Sequence, residues 1–201
     1  MTTPRPYRLG VTGGIASGKS TVMAILAELG AETIDADRVY HALIEPGRPL
    51  HRTLVERWGI GIVAPDGTID RKALGRIVFG DPGELADLDR LTHPAIRREI
   101  DNRFEQSSAA VVAIDAVKLI ESGHADSYDH IWLVVADPAI QIRRLVESRR
   151  LARADAERRV GAQPDLAHKL TRSNVVIHNN GSLDQLRDQV AHAWQHLPVI
   201  G

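Results

Sequence analysis

Short apolar segments alternate with helical patterns over most of the chain. Ala110–Ile114 and Ile131–Ala136 are continuous apolar runs, which are typical of strands buried on both faces of a parallel sheet. Shorter apolar segments at Arg8–Thr12, Thr33–Ile34 and Val175–Ile177 predict three further strands. The alternation predicts an α/β fold in which helices cover both faces of a doubly wound, five-stranded parallel sheet.

Two segments interrupt this alternation and divide the predicted unit into three parts. Residues 37–106 have helical patterns and almost no strand pattern, which indicates a helical insertion between the second and third strands. One of its helices is expected to begin where Asp81 can cap and Pro82 occupies the first turn. Residues 143–159 contain seven arginines and three acidic residues, and they predict a basic helical segment. The predicted core consists of residues 1–36, 107–142 and 160–201.

Composition and charge disfavour several classes of function. The net charge of −1 argues against a protein that binds nucleic acid through a basic surface. The chain has no cysteine, so it can form neither a disulfide nor a thiolate metal site. Its apolar runs are far shorter than the ~18 residues of a membrane span, and the first residues lack the apolar core of a signal sequence. We expect a cytoplasmic protein that needs no nucleic acid, membrane or protein partner.

One glycine-rich segment carries the clearest chemical signal. Residues 13–21 match the P-loop pattern G-x-x-x-x-G-K-[ST] and lie between a predicted strand and a predicted helix. Backbone N–H groups at such a helix start bind phosphate oxygens, and Lys19 would reach the β- and γ-phosphates of ATP. The Ser20 hydroxyl would be a hard oxygen ligand for Mg²⁺, so ATP and Mg²⁺ are the expected cofactors. The candidate nucleotide-binding residues of the loop are Gly13, Gly14, Ala16, Ser17, Gly18, Lys19, Ser20 and Thr21.

Acidic residues after the second predicted strand suggest which reaction the P-loop would serve. The absence of an Asn-Lys-x-Asp guanine motif from the sequence disfavours a GTPase. Asp35 and Asp37 follow the second strand, at the carboxyl edge of a parallel sheet where ligands bind. A carboxylate there can accept the proton of an acceptor hydroxyl during phosphoryl transfer. Aspartates also cap helices, and we expect one of the two to cap and the other to act as the base.

Several motifs occur in the order found in dephospho-CoA kinases. Besides the P-loop and Asp35-Ala36-Asp37, they are Glu45-Pro46-Gly47, Asp70-Arg71-Lys72-Ala73-Leu74, Ile77-Val78-Phe79, Thr92-His93-Pro94, Gln141-x-x-Arg144, Arg159-Val160-x-Ala162-Gln163 and Val176–Ser182. The chain therefore resembles the dephospho-CoA kinase family over nearly its whole length. The resemblance implies a three-layer αβα P-loop fold and a kinase that phosphorylates the ribose 3′-hydroxyl of dephospho-CoA. The products would be coenzyme A and ADP, in the last step of coenzyme A biosynthesis.

The resemblance also implies roles for particular parts of the chain. The insertion 37–106 would bind the acceptor, the segment 143–159 would form a lid, and Asp37 would be the base. The implied catalytic residues are Asp37, Lys19, Arg144 and Arg149. The implied substrate-binding residues are Asp37, Arg71, Lys72, His93 and Asp115, and Asn179 would lie near the adenine. Asp115 ends the third predicted strand, where it could order the water shell of Mg²⁺ or cap a helix.

Two departures from the family pattern leave questions open. The family usually has Asp-x-Pro-Leu-Leu-x-Glu after the third strand, whereas this chain has no proline there and carries Lys118, a cation near the active edge. The second lid arginine of the family falls on Ser148, with Arg149 directly after it. A shift of one residue turns a side chain by about 100° around a helix, so the arginine that reaches the phosphates is not fixed by the sequence.

Two other functions remain compatible with these patterns. One is another small-metabolite P-loop kinase that acts on a nucleoside, shikimate or gluconate. The other is a non-catalytic nucleotide-binding regulator, in which the altered segments have ended turnover. Release of ADP that depends on dephospho-CoA would distinguish the implied kinase from both.

Overall fold

The core of the molecule is a parallel sheet, seen in a computed structural model that describes residues 5–117, 119–120, 123, 125–164 and 166–200. Its strands are β1 (Tyr7–Gly13), β2 (Glu32–Asp35), β3 (Val111–Asp115), β4 (His130–Val135) and β5 (Val175–His178). Their order across the sheet is β2-β3-β1-β4-β5. The predicted five-stranded parallel sheet is confirmed, and each predicted strand end lies within one residue of the observed one.

The register of the central strand decides which residues meet at the carboxyl edge of the sheet. Val11 of β1 pairs with Asp115 of β3, and Gly13 at the end of β1 pairs with Val134 of β4. On the far side of β4, Val135 pairs with His178 at the end of β5. The segments that follow β1, β3 and β5 are therefore brought to one edge, although they are far apart in the sequence.

Burial on both faces explains why the strands read as continuous apolar runs. Val111, on one face of β3, and Val112, on the other, are both almost fully buried. Helices α1 (Lys19–Glu28) and α9 (Leu183–Gln195) pack together on one face of the sheet, with Leu26 and Val190 in the shared core. Because both faces exclude water, neither side of these strands can carry the polar residues that mark a half-exposed strand.

The chain divides into two compact units, Met1–Ile34 with Ser107–Gly201 and Asp35–Gln106. The helices of the second unit are α2 (Ala36–Leu43), α3 (Pro49–Trp58), α4 (Arg71–Val78) and α5 (Pro82–Gln106). Asp81 accepts a hydrogen bond of 2.7 Å from the N–H of Gly83, so α5 begins where the sequence predicted. The core of this unit is formed by Ile44, Leu50, Leu54, Ile62, Ile69, Leu74 and Val78.

The arginine-rich stretch is shared between two helices of the first unit, α6 (Pro138–Arg149) and α7 (Arg153–Gly161). Arg150 ends α6 in a left-handed conformation with φ of 53°, which turns the chain toward α7. The segment 143–159 therefore begins inside α6 and ends inside α7. Helix α8 (Ala167–Arg172) follows and precedes β5. Within the described part of the chain, no helix is long and apolar enough to cross a membrane.

The buried core of the second unit can be tested by a pair of alanine substitutions. Leu54 is 0% exposed, so we expect Leu54→Ala to lower the free energy of unfolding by about 2–5 kcal/mol through lost contacts and a cavity. Ile60 of the same unit is 77% exposed, and Ile60→Ala should change the free energy of unfolding by less than about 0.5 kcal/mol. Chemical denaturation followed by circular dichroism measures both. Equal losses in the two variants would contradict this packing.

Candidate active site

The loop between β1 and α1 presents backbone N–H groups in the arrangement that binds anions. The N–H groups of Gly18, Lys19 and Ser20 have no acceptor among the described residues. Ala16 and Gly18 are both left-handed, with φ of 52° and 94°. Such turns bring successive N–H groups of a helix start toward one point, where the helix dipole also favours negative charge. The loop therefore has the backbone geometry of a phosphate cradle, and the binding of phosphate by its residues stays a prediction.

Arg144 and Asn179 hold the carbonyl oxygens on the other side of this loop. Arg144 Nη1 donates to the oxygens of Ala16 and Ser17 at 3.1 and 3.2 Å, and Asn179 Nδ2 donates to Ser17 O at 2.8 Å. Because the trans peptide is planar, fixing the Ser17 oxygen on one side directs the Gly18 N–H to the opposite side. The two side chains thus help to aim the cradle.

Most of the hydrogen-bonding capacity of Arg144 is used within the protein. Its Nη2 donates to the backbone and side-chain oxygens of Asn179, both at 3.0 Å. Burial, together with the positive charge of Arg143, lowers the pKa of Arg144. The negative charge of a bound nucleotide would raise this pKa, because phosphates favour the charged form of the guanidinium. In this structure Arg144 holds the loop, and the catalytic role that the family resemblance implies for it stays a prediction.

Lys19 and Asp115 form an ion pair at the carboxyl ends of β1 and β3. Their side chains are 14% and 16% exposed, so solvent screens this pair only partly. An ammonium group has three N–H donors, and Asp115 leaves donors for phosphate oxygens. Asp115 therefore positions Lys19 beside the cradle, a role that its sequence position alone did not show.

The two serines of the loop are placed differently. Ser17 is 1% exposed, and its hydroxyl is buried without a hydrogen-bond partner in the part of the chain that the structure describes. Ser20 is exposed in the first turn of α1, and Thr21 follows it in the same turn. A Cβ at Gly13 would lie 2.5 Å from Val134 O, which explains the first glycine. Of the two serine hydroxyls, that of Ser20 is the one accessible as a metal ligand.

Asp35 and Asp37 have separate roles at the start of α2. Asp35 is the N-cap, and its Oδ1 accepts hydrogen bonds from the N–H groups of Asp37 and Arg38 at 2.9 and 3.1 Å. The Asp37 side chain is exposed and makes no hydrogen bond or ion pair within the described residues. The division into one capping and one uncommitted carboxylate fits the expectation from the sequence.

The candidate acceptor residues lie on two helices of the second unit. Arg71 and Lys72 are exposed in the first turn of α4, which Asp70 caps. The charge of Arg71 lowers the pKa of the Tyr40 phenol, against a larger increase caused by burial. His93 Nε2 lies 3.3 Å from an Asp89 carboxylate oxygen one turn earlier in α5. Arg71 and Lys72 are accessible cations of this unit, as binding of an anionic substrate would require, and the half-buried His93 imidazole adds a group that can form hydrogen bonds.

Two further candidates have less structural support. Arg149 is exposed in the last turn of α6 and has no hydrogen bond or ion pair within the ranges described. Lys118 lies outside the described residues, so its role stays open.

Sequence reasoning assigned no site role to several residues that support the loop. Gln163 accepts a hydrogen bond of 2.7 Å from the N–H of Ile15. Thr12 and the buried Lys169 both donate to Val117 O at 3.0 Å, just beyond Asp115. Gln163 belongs to a motif of the resemblance, which was its only signal. Nothing near Lys169 in the sequence indicates its burial.

The parallel sheet, the loop after its central strand and the adjacent Lys19 are the features of the P-loop class of nucleotide-binding proteins. A family model described as dephospho-CoA kinase matches residues 7–185. The chain belongs to the dephospho-CoA kinase family, which confirms the resemblance and indicates ATP-dependent phosphotransfer.

Individual relatives support the assignment over nearly the whole chain. A dephospho-CoA kinase from Symbiobacterium thermophilum is 45% identical over 190 residues, which are 93% of this chain and 80% of the relative. A dephospho-CoA kinase from Leifsonia xyli is 44% identical over 193 residues, covering 94% and 98% of the two chains. A Thermus thermophilus protein of known structure is 31% identical, with a TM-score of 0.83 and coverage of 94% and 96%.

Arg144 should affect nucleotide binding through the loop that it holds. Arg144→Ala would remove the Arg144 donor from the Ala16 oxygen and leave the Ser17 oxygen with Asn179 alone, and we expect ATP affinity and kcat each to fall at least about tenfold. Arg144→Lys should restore little, since one ammonium cannot reproduce a planar fork with four bonds.

The matched control for this experiment is Arg153→Ala. Arg153 is exposed and bonds only Glu157 within the described residues, so its loss should leave ATP affinity unchanged. Calorimetric titration with ATP and steady-state kinetics measure all three variants. Similar losses for Arg144→Ala and Arg153→Ala would contradict a specific role of Arg144.

Proposed function

We propose that this chain transfers the γ-phosphoryl group of ATP to the ribose 3′-hydroxyl of dephospho-CoA in the cytoplasm. The observation that carries the proposal is the P-loop cradle, with three N–H groups available and Lys19 held beside it, in a chain of this family. Preorganised donors of this kind stabilise the charge on transferring phosphoryl oxygens. Coenzyme A and ADP are the products.

The P-loop and the residues around it bind the phosphates of the nucleotide. The N–H groups of Gly18, Lys19 and Ser20 bind phosphate oxygens, and the Lys19 ammonium neutralises charge on the β- and γ-phosphates. Arg144 and Asn179 keep the loop in the conformation that presents these donors. Arg149 approaches the phosphates from the end of α6 when the nucleotide is bound, which adds a donor as charge develops.

Magnesium fits the donors at this site. Ser20 offers an exposed hydroxyl oxygen beside the cradle, and Asp115 offers a carboxylate that would act through ordered water. Mg²⁺ prefers such oxygens and keeps several waters, so it needs no dense cluster of protein ligands. When bound, it would neutralise charge on the phosphate oxygens and orient them.

Asp37 is the proposed general base. Its carboxylate is free of the capping bonds that occupy Asp35. The acceptor oxygen forms a bond to the γ-phosphorus, and its proton passes to Asp37. The bond between the γ-phosphorus and the β–γ bridging oxygen breaks, and ADP leaves with that electron pair. Asp37 is thus the group that holds the transferred proton.

The second unit is the proposed acceptor domain. Arg71 and Lys72 bind the diphosphate of dephospho-CoA, since both are exposed cations at the start of α4. His93 contributes a hydrogen bond that its pairing with Asp89 orients. The diphosphate is the only strongly anionic part of dephospho-CoA, and exposed arginine and lysine suit it.

Acceptor specificity tests the proposed reaction. The purified chain is supplied with Mg²⁺ and ATP, and ADP release is measured with dephospho-CoA, shikimate, gluconate or a nucleoside as the acceptor. We expect release with dephospho-CoA alone, and mass spectrometry with phosphorus NMR should place the phosphate on the ribose 3′-oxygen. Release with another acceptor would identify a different metabolite kinase. ATP binding without acceptor-dependent release would indicate a regulator.

The assignment of the base can be tested within the Asp35-Ala36-Asp37 triplet. Asp37→Asn keeps the shape and removes the basicity, so kcat should fall by about 10²–10⁴-fold while the dissociation constant of ATP hardly changes. Asp35→Asn is the matched control, because asparagine also caps helices and its effect on kcat should be much smaller. The opposite pattern would make Asp35 the base. If both variants remain active, Asp115 is the next carboxylate to substitute.

A further inference from the structure

A second polar contact fixes the tip of the P-loop from the side of α7. Gln163 lies just beyond the end of α7, and its Oε1 accepts a hydrogen bond of 2.7 Å from the N–H of Ile15. Ile15 precedes the residues whose N–H groups form the cradle. This N–H is therefore committed to the protein and cannot bind phosphate at the same time.

The orientation of the Gln163 amide is fixed by its partners. Its oxygen must face Ile15, since an N–H cannot accept from an NH₂ group. Its Nε2 then donates to Gln141 Oε1 at 3.1 Å and to Val160 O at 3.3 Å. Gln141 belongs to α6 and is only 5% exposed. One side chain thus joins the loop to both helices of the arginine-rich segment.

The second glycine of the loop is explained by the same contact. A Cβ at Gly14 would collide with Gln163 Oε1 and would lie 3.2 Å from Gln163 Cδ. Gly14 does not have the left-handed backbone that favours glycine, so the backbone itself would accept alanine. The position is restricted by the space that the Gln163 amide occupies.

Apolar packing beside the hydrogen bond between Gln163 and Ile15 supports this contact. Ile15 and Ala16 of the loop pack against the cluster of Leu145, Ala156 and Val160 between α6 and α7. Leu145 and Ala156 are fully buried. The loop tip, α6 and α7 therefore form one packed body, and Gln163 supplies its directional contact.

We propose that Gln163 is a positioning residue for phosphoryl transfer, which sets the P-loop tip against α6 and α7 and requires glycine at position 14. Arg144 holds the loop by the carbonyl oxygens of Ala16 and Ser17, and Gln163 holds it by the N–H of Ile15, the residue before Ala16. Together they fix the orientation of three peptide planes of the loop, those that join residues 14 and 15, 16 and 17, and 17 and 18. The inference rests on ATP being the donor, as in the proposed function, and it concerns the nucleotide only. The acceptor site is not expected to respond.

The first test removes the Gln163 amide. Gln163→Ala leaves the Ile15 N–H without its acceptor, and we expect ATP affinity to fall about tenfold. The KM for ATP should rise to the same extent, while the KM for dephospho-CoA stays unchanged. Gln195→Ala is the matched control, because Gln195 is exposed at the end of α9. Unchanged ATP affinity, or equal changes in both KM values, would overturn the proposal.

The second test uses a double-mutant cycle with Gly14→Ala. The added methyl displaces the Gln163 amide, so Gly14→Ala alone should weaken ATP binding about tenfold. In the Gln163→Ala background the same methyl meets no amide oxygen, and the double variant should bind ATP no more weakly than Gln163→Ala. Additive losses would show that the two positions act independently and would overturn the proposal.

Direct titration with ATP keeps this inference separate from the proposed reaction. Calorimetry needs no acceptor, so a failure to phosphorylate dephospho-CoA would leave the predicted ATP affinities testable. Circular dichroism establishes whether each variant is folded at the temperature of the titration. If Gln163→Ala does not fold, Gly14→Ala tests the contact alone, and normal ATP affinity in that variant contradicts the proposal.

Discussion

The pairing of β1 with β3 on one side and β4 on the other is the constraint on which the site depends. It puts the end of β1 beside Asp115 and beside Val134, so the loop that begins at Gly13 starts within reach of both neighbouring strands. Because all three strands run in the same direction, their following segments emerge at one edge. The ion pair between Lys19 and Asp115 is a direct consequence, since each residue follows or ends one of two paired strands.

The loop at this edge is shaped by contacts to both sides of its backbone. Arg144 and Asn179 hold carbonyl oxygens at Ala16 and Ser17, and Gln163 holds the N–H of Ile15. Adjacent N–H groups that point to one place repel each other, because their dipoles are nearly parallel and close together. Fixing the neighbouring groups counteracts this tendency. The cradle is therefore preorganised for an anion by side chains of α6, of the residue just beyond α7 and of the segment after β5.

Preorganisation also affects the arginine-rich segment. Its α6 part is anchored unevenly: Arg144 is engaged by four hydrogen bonds, whereas Arg149 is exposed at the end of α6. Movement during a catalytic cycle is easiest where few buried contacts must be broken. We therefore propose that the turn around Arg149 and Arg150, between α6 and α7, is the part that moves, and that the part packed on Ile15 stays fixed.

The sequence by itself determined the features that depend on local pattern. Apolar runs identified the strands, and the glycine-rich motif identified the cradle, because a helix start after a buried strand leaves N–H groups free. Tertiary structure alone decided the contacts across the chain. Arg144 reaches Ala16 over 128 residues, and Gln163 reaches Ile15 over 148 residues. Such contacts depend on strand order and helix packing, which a local pattern does not encode, and so Gln163, Lys169 and the holding role of Arg144 emerged only from the fold.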